Sequence, residues 1–449
     1  MAERCPPIPD ADRPAAECSA STRSLAGWVL IVAVLLAGAA LRLAALHAVP
    51  PGLTHDEANN VYDGAGVLHG ICPLFFPVAQ GKEPLYPYSV AGMMALLGPT
   101  PYAMRLTTAF WGVLLLAATL TTLRCMFGLP TALLATAWLA LSFWGFTVSR
   151  MGLRAVTLPL FFSLALYFLH RATSSAPSAR RWREAAWSGF LLGVTQYTYL
   201  AARLAPLAFM LFALYLLLTR RGGRAVAQRV GLALAVAAVV AAPLYIYLHL
   251  HPDLAVRVGM LDQPLRALAA GDPRPLWEQV RSGLEVFFLS GDTFIPYNIP
   301  GRPLFDPLTA ALFIAGLLLT AARWRQPAYS LALLWLVVGM FPALATGVEA
   351  SNLRAVMAQP ALYLFPALPV AELARKRAAT RPYIYGLAAL LLVATAAEAA
   401  HAYFVTWAND RDVRVHHHVD LAAIAGYLND HPAEGPVAIS ALFPERFHD

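Results

Sequence analysis

Asp56 and Glu57, adjacent in this 449-residue chain, are the residues best suited to proton chemistry. They follow Pro50-Pro51-Gly52, a segment that ends the preceding helix and turns the chain. The pair then opens a short helix running through about His69, with Ala58, Val61, Ala65 and Leu68 as its apolar side. One carboxylate of such a pair can take a proton from a nucleophile while the other orients it or binds a metal. A divalent cation on Asp56 and Glu57 is the one cofactor the pattern suggests. The simpler alternative is that acids in a first helical turn favour the dipole and cap free N–H groups.

Positive side chains supply the complementary chemistry. Lys82 lies in Gly81-Lys82-Glu83-Pro84-Leu85-Tyr86-Pro87-Tyr88, ahead of an apolar stretch, Val90–Leu97, too short to cross a bilayer. That stretch reads as a re-entrant or surface helix. A cation flanked by tyrosines at the interface suits a lipid phosphate; alternatively Lys82 snorkels and the tyrosines form an aromatic belt. Arg105, Arg150, Arg154, Arg203 and Arg354 fall at the same end of the predicted helices. Burying a cation at membrane depth costs at least about 2.5 kcal/mol, so something anionic must compensate. Loop carboxylates would do so, and so would a bound phosphate.

Other groupings carry less. His416-His417-His418 with Asp420 is poor ligand geometry for a metal. His249 and His251 beside Pro252 read as an interfacial turn, and Glu398 and His401 are spaced to pair with each other. Cys5, Cys18, Cys72 and Cys125 are scattered, without a disulfide framework or metal pair.

The elements that must position these residues are membrane helices. Hydrophobic residues make up 59% of the chain and charged ones 13%, about half the charge of a soluble domain. The net charge of +7 comes in clusters between apolar runs, which suits topology and phosphate handling and argues against a nucleic-acid partner. A hydrocarbon core of about 30 Å needs about 20 apolar residues per helix. That ruler predicts an all-α polytopic protein of about eleven spans, near 25–46, 101–123, 130–148, 155–170, 184–201, 204–219, 229–249, 307–322, 328–345, 355–372 and 382–404.

Arg124, Arg171, Arg180, Arg181, Arg183, Arg220, Arg221, Arg224, Arg229, Arg323, Arg325, Arg375, Lys376, Arg377 and Arg381 fall in alternate connections, which places those connections and the N-terminus in the cytoplasm. Residues 1–24 form a cytoplasmic leader and 25–405 the membrane domain. Segments 47–100 and 250–306 and the tail 406–449 then face outward. The tail reads as a helix around 419–429, a turn at Pro432–Pro436 and a short strand, Val437–Leu442. The 174–178 stretch is a loop, and the run from Leu25 reads as a retained first helix rather than a cleaved signal.

The sequence resembles bacterial members of the dolichyl-phosphate-mannose–protein mannosyltransferase type, glycosyltransferase family 39, and the related lipid A aminoarabinose transferases. Both belong to the GT-C fold group. The resemblance covers about 25–405. It rests on Pro51-Gly52-Leu53 and Asp56-Glu57, on Lys82 with Pro84-Leu85 and Tyr88, on Arg105-Leu106 and Ser149-Arg150, and on Asn298-Ile299-Pro300-Gly301-Arg302-Pro303 with Asp306-Pro307.

It implies a transferase that passes a sugar from a polyprenyl-phosphate donor to a protein, lipid or glycan acceptor outside the cytoplasm of a bacterial inner membrane. Asp56 would be the base, supported by Glu57. Lys82 would match the lysine that binds the donor phosphate in the aminoarabinose transferases; on the reading of the outer cations above, some of Arg105, Arg150, Arg154, Arg203 and Arg354 would hold that phosphate with it. His55, Glu83, Tyr86, Tyr88, Asn298 and Arg302 would line the substrate pocket. Where the aminoarabinose transferases have Glu-Lys-Pro-Pro-Leu, this chain has Gly81-Lys82-Glu83-Pro84-Leu85: the acid before the lysine is gone and another follows it. A metal site using that acid is therefore in question.

Physical chemistry agrees with that picture. Phosphate leaves readily and needs cations rather than an acid, while the acceptor needs a base on the sugar's opposite face, giving inversion. The rival readings are a transporter or flippase for lipid-linked sugars and a non-catalytic membrane scaffold. A transporter calls for repeats and broken polar helices at mid-bilayer, whereas these spans are nearly free of ionisable groups. A scaffold gives no reason to place outward arginines beside a carboxylate pair.

Overall fold

A computed structural model describes residues 25–431 and residue 435, apart from 79, 174–178, 221–222, 256–262 and 346–350. The leader 1–24, the 174–178 loop and the predicted turn and strand after 431 lie outside the described residues, save for residue 435 itself.

The described chain is helical: α1 (Leu25–Leu43), α2 (His55–Leu68), α3 (Leu85–Leu97), α4 (Pro101–Phe127), α5 (Leu129–Leu141), α6 (Thr157–Ala172), α7 (Ala179–Thr195) and α8 (Ala205–Leu218). Then come α9 (Arg224–Leu250), α10 (Arg274–Phe288), α11 (Pro307–Ala322), α12 (Pro327–Ala345), α13 (Gln359–Lys376), α14 (Arg381–His401), α15 (Arg411–His416) and α16 (Val419–Asp430). Among the described residues, eight helices are long and apolar enough to cross a membrane. The remaining predicted spans fall on α5, α7 and α11, which are shorter. The chain is a multi-pass membrane protein.

Burial divides the helices by role. The span ending in α13 is 72% buried inside the protein and the one containing α14 only 11%. A helix apolar on all sides yet uncovered by protein must meet lipid, so α13 is central and α14 lies at the rim. Around α13 pack α5 and α11, while α4 packs on α5 and α6, and α7 on α6 and α9. Close approaches set these crossings. A Cβ at Gly189 would sit 2.2 Å from the Ala233 carbonyl, and one at Gly316 would sit 1.8 Å from that of Phe365. Small residues bring membrane helices to this distance because packing, not water exclusion, holds them together.

At one end, basic clusters close on single acids. Arg171 and Arg181 reach Glu184 at 2.7 and 3.0 Å, and Arg323 and Arg375 reach Glu372 at 2.7 and 2.9 Å. The other end gathers α2, α3, the 289–306 loop and the tail helices. There the Leu53 N–H donates to the His417 carbonyl at 2.6 Å, and the Trp407 indole to the Ile295 carbonyl at 2.8 Å. Glu398 and His401 are spaced to pair, but it is Arg302, arriving from the loop, that takes the Glu398 carboxylate, at 3.2 Å from its Nε.

The close helix crossing gives a direct test. Gly189→Ala drives a methyl into the Ala233 carbonyl and lowers stability by about 1–3 kcal/mol in thermal unfolding of detergent-solubilised protein. Gly386→Ala, at a helical position with nothing within 4 Å, stays within about 0.5 kcal/mol.

Candidate active site

The site is built on α2. Thr54 caps it: its hydroxyl accepts the Glu57 N–H at 3.2 Å, and Glu57 Oε2 accepts the Thr54 N–H at 3.1 Å. This reciprocal box is the capping role open to an acid in the first turn. Glu57 also does more. Arg105 of α4 donates Nε–H to Oε1 at 2.9 Å and Nη2–H to Oε2 at 3.1 Å, while the Gly152 N–H reaches Oε1 at 3.1 Å. Two further guanidinium hydrogens go to the Pro50 and Gly52 carbonyls at 2.7 and 2.6 Å. Burial disfavours the Glu57 carboxylate, but the Arg105 charge and hydrogen bonds outweigh it and hold the group below its ordinary pKa.

Glu57 is therefore a buried structural anion. With its oxygens committed, it leaves no coordination site for a divalent cation shared with Asp56. Among the described residues no group of three or more His, Cys, Asp or Glu side chains is placed to hold a metal.

Asp56, one residue earlier, is the opposite case. It is half-buried and, among the described residues, has no hydrogen-bond or ion-pair partner of its own. Its charge still reaches Lys82. Positions 56, 60 and 63 recur at i, i+4 and i+7, so they share one side of α2. Asn60 donates to the Gly152 carbonyl at 2.7 Å and accepts from the Lys82 ammonium at 3.2 Å, and Asp63 forms an ion pair with the same ammonium. Asn60 and Asp63 were not singled out from the sequence, although the helical period from Asp56 pointed to them.

Lys82 does not snorkel: it is 1% exposed. A single backbone bridge to Phe76, with N–H···O distances of 2.8 and 2.9 Å, pins it. Gly81 before it has φ +94°, and a Cβ there would strike the Phe75 ring and the Leu254 carbonyl. That left-handed, crowded position admits glycine and explains why no acid precedes this lysine. Glu83 turns the other way and accepts from Arg154 Nε at 3.0 Å, while the Arg154 guanidinium lies 5.5 Å from the Tyr199 ring centre. Half-buried Arg203 has no ion-pair partner among the described residues. It and Glu83 both lie close enough to Tyr245 for their charges to act on it.

Several expected site residues have other work. Arg150 is fully buried and caps the first helix, donating to the Leu41, Ala44 and Val49 carbonyls at 2.6, 2.6 and 2.9 Å. Tyr86 is fully buried between α2, α3 and α4, its hydroxyl engaged by Thr108 and the Met104 carbonyl. Neither faces an open site. Asn298 donates to the Asp292 and Arg302 carbonyls at 3.0 and 2.8 Å and so shapes its own loop. The Arg302 guanidinium lies 4.5 Å from the Phe143 ring centre, and Tyr88 is exposed with its hydroxyl on the Pro73 carbonyl at 3.1 Å. Arg354 is half-buried at the end of the short helix Ser351–Arg354, beside Asn352, whose N–H donates to Asp292 at 3.0 Å.

The histidine run is not a flexible string. His417 is fully buried against Trp407 with its Nδ1 3.9 Å from Glu57, and His418 stacks on His55 at 4.7 Å between ring centres. The tail thus closes over the start of α2. Burial pushes the His417 imidazole down to about 4.

The sequence profile of the dolichyl-phosphate-mannose–protein mannosyltransferase family matches residues 81–247. No curated protein sequence matches the chain. By fold, the chain is similar to the oligosaccharyltransferase AglB of Archaeoglobus fulgidus, solved with an inhibitory peptide and a dolichol-phosphate: TM-score 0.59, 17% identity, 84% of this chain and 55% of that one. It thus spans about half the length of that relative. It is also similar to ArnT of Cupriavidus metallidurans, solved with undecaprenyl phosphate: TM-score 0.57, 16% identity, 92% of this chain and 82% of that one. The fold is that of the GT-C membrane glycosyltransferases.

Two measurements test the anchoring of α2. Glu57→Gln leaves Arg105 buried without its counter-charge and lowers stability by about 3–5 kcal/mol, part of which returns when Arg105→Met is added; a Glu57→Gln protein that melts like wild type contradicts the anchor. His417 remains neutral when folded but protonates near 6.5 when unfolded. Its contribution to stability is therefore complete above about pH 6.5 and declines by about 3 kcal/mol as pH drops towards 4. His417→Phe flattens that part of a pH–melting curve.

Proposed function

We propose that this chain, homologous over residues 81–247 to the dolichyl-phosphate-mannose–protein mannosyltransferases and folded as a GT-C glycosyltransferase, moves a sugar from a polyprenyl-phosphate donor to a hydroxyl or amine acceptor. The acceptor is a protein, lipid or glycan, and the reaction takes place on the extracytoplasmic face of the plasma membrane. The observation that carries the reading is the contrast between neighbours. Glu57 is consumed by the fold, whereas Asp56 presents an uncommitted carboxylate on the helix face that also holds Lys82.

Asp56 takes the acceptor's proton as the acceptor atom attacks the anomeric carbon. The bond from that carbon to the phosphate oxygen breaks, and the departing phosphate keeps the electron pair. Lys82, Arg154 and Arg203 stabilise the new charge, as fixed cations do where charge develops. Attack opposite the leaving group inverts the anomeric centre. Arg105 and Arg150 enter only as positioning residues, because backbone carbonyls and Glu57 occupy them. The orientation follows from the basic connections, which put the α2 end outside. Residues 1–24 are then a cytoplasmic leader, 25–405 the membrane domain and 406–449 an extracytoplasmic segment.

Asp56→Asn tests the base. Turnover with a polyprenyl-phosphate sugar falls by about 10²–10⁴ while the donor KM stays near wild type. Lys82→Met instead weakens donor binding by about tenfold or more, the worth of a charge-assisted hydrogen bond. Full turnover in Asp56→Asn contradicts the assignment and favours a transporter or scaffold.

A further inference from the structure

We propose that Asp63 is a positioning residue of the donor site, which keeps the Lys82 ammonium charged and aims it from the same face of α2 that presents Asp56. The inference rests on Lys82 being a phosphate contact, as argued above.

The geometry is economical in donors. An ammonium has three N–H bonds and no acceptor. Among the described residues, Asp63 and the Asn60 side-chain carbonyl take two of them, leaving the third for a ligand. The side chains of Lys82 and Asp63 are only 2% and 3% exposed. A desolvated lysine loses its proton readily, which is how buried lysines become neutral amines. A neutral amine gives a phosphate no counter-charge.

The other charged groups facing Lys82 do not substitute for Asp63. Arg154, from the 3-10 turn Arg154–Val156, opposes its charge. Glu83 is engaged by Arg154, and the Asp56 charge on α2 is the weakest of those acting on Lys82. Burial pulls Lys82 below its ordinary pKa, and Asp63 is the principal group pulling it back. Asp63 sits one further helical step along the face from Asn60, so a single rigid helix sets the spacing between base and phosphate grip.

The test is the pH dependence of undecaprenyl phosphate binding to the full-length protein in detergent, with thermal unfolding as the check on folding. Wild-type binding between about pH 6 and pH 9 follows only the phosphate's own second ionisation, at about pH 6, because Asp63 holds the charge on Lys82. Asp63→Asn binds within about threefold of wild type near pH 6 but at least about tenfold more weakly near pH 9. Asp63→Glu restores the wild-type profile. Adding Lys82→Arg to Asp63→Asn also returns the wild-type profile, because a guanidinium needs no help to hold its charge.

A loss of equal size at both pH values, or an Asp63→Asn profile matching wild type, overturns the proposal. Should Asp63→Asn alone fail to fold, the double variant decides: binding that follows the wild-type pH profile supports the proposal, and absent binding overturns it. Lys82→Met separates this inference from the one beneath it. Unchanged binding in Lys82→Met removes the phosphate role itself, whereas lost binding there with no pH shift in Asp63→Asn removes only the role of Asp63.

Discussion

The buried bond between Glu57 and Arg105 is the constraint on which the rest of this end of the molecule depends. It joins positions 48 residues apart, and its spare donors and acceptors tie in the chain leaving α1, the cap of α2 and the turn at Gly152. Neither partner is tolerable alone in so dry a place. Together they fix the first turn of α2, and with it the direction in which Asp56 points. His417 lies against the same carboxylate, so the tail is folded over the knot and excludes water from it.

A division of labour follows from one helix. Glu57 faces the protein and supplies rigidity; Asp56, Asn60 and Asp63 follow the helical period and, in the proposed function, supply the chemistry. Around them the charges are largely balanced in pairs, Lys82 with Asp63 and Arg154 with Glu83, while Arg203 stands without an ion pair among the described residues. A site that is nearly neutral when empty avoids the cost of isolated charge near lipid, yet still offers hydrogen-bond donors to an anion.

Much of the framework was legible because a bilayer permits little else. Apolar length put each predicted span on a helix, eight of them long and apolar enough to cross a membrane among the described residues, though the first helix stops at Leu43, ahead of Pro50-Pro51-Gly52. The acid pair stood out for the same reason: ionisable groups are rare here. What the sequence hid is tertiary. The Thr54-x-x-Glu57 capping-box spacing marks Glu57 apart from Asp56 locally, but only the arrival of Arg105 from α4 makes Glu57 a buried, charge-paired anion. Arg150 looked like a ligand-binding cation because its true partners are backbone carbonyls, which every residue has and no sequence pattern displays. Tyr86 read as a pocket aromatic until the packing of α2 and α4 covered it. Asn60 and Asp63 were readable in principle from the period, but their partner Lys82 comes from a loop whose course depends on Gly81.

The central claim is spatial: a free carboxylate and a buried ammonium, carried on and held by one helix, face the two ends of the reacting bond. The most direct measurement is a cryo-EM structure of the protein with undecaprenyl phosphate bound. The account predicts phosphate density within hydrogen-bond distance, about 3 Å, of the Lys82 ammonium, with Asp56 across from it and the Glu57–Arg105 bond unbroken. Phosphate density seated away from Lys82, or an Arg105 that has left Glu57 to bind it, would contradict the account.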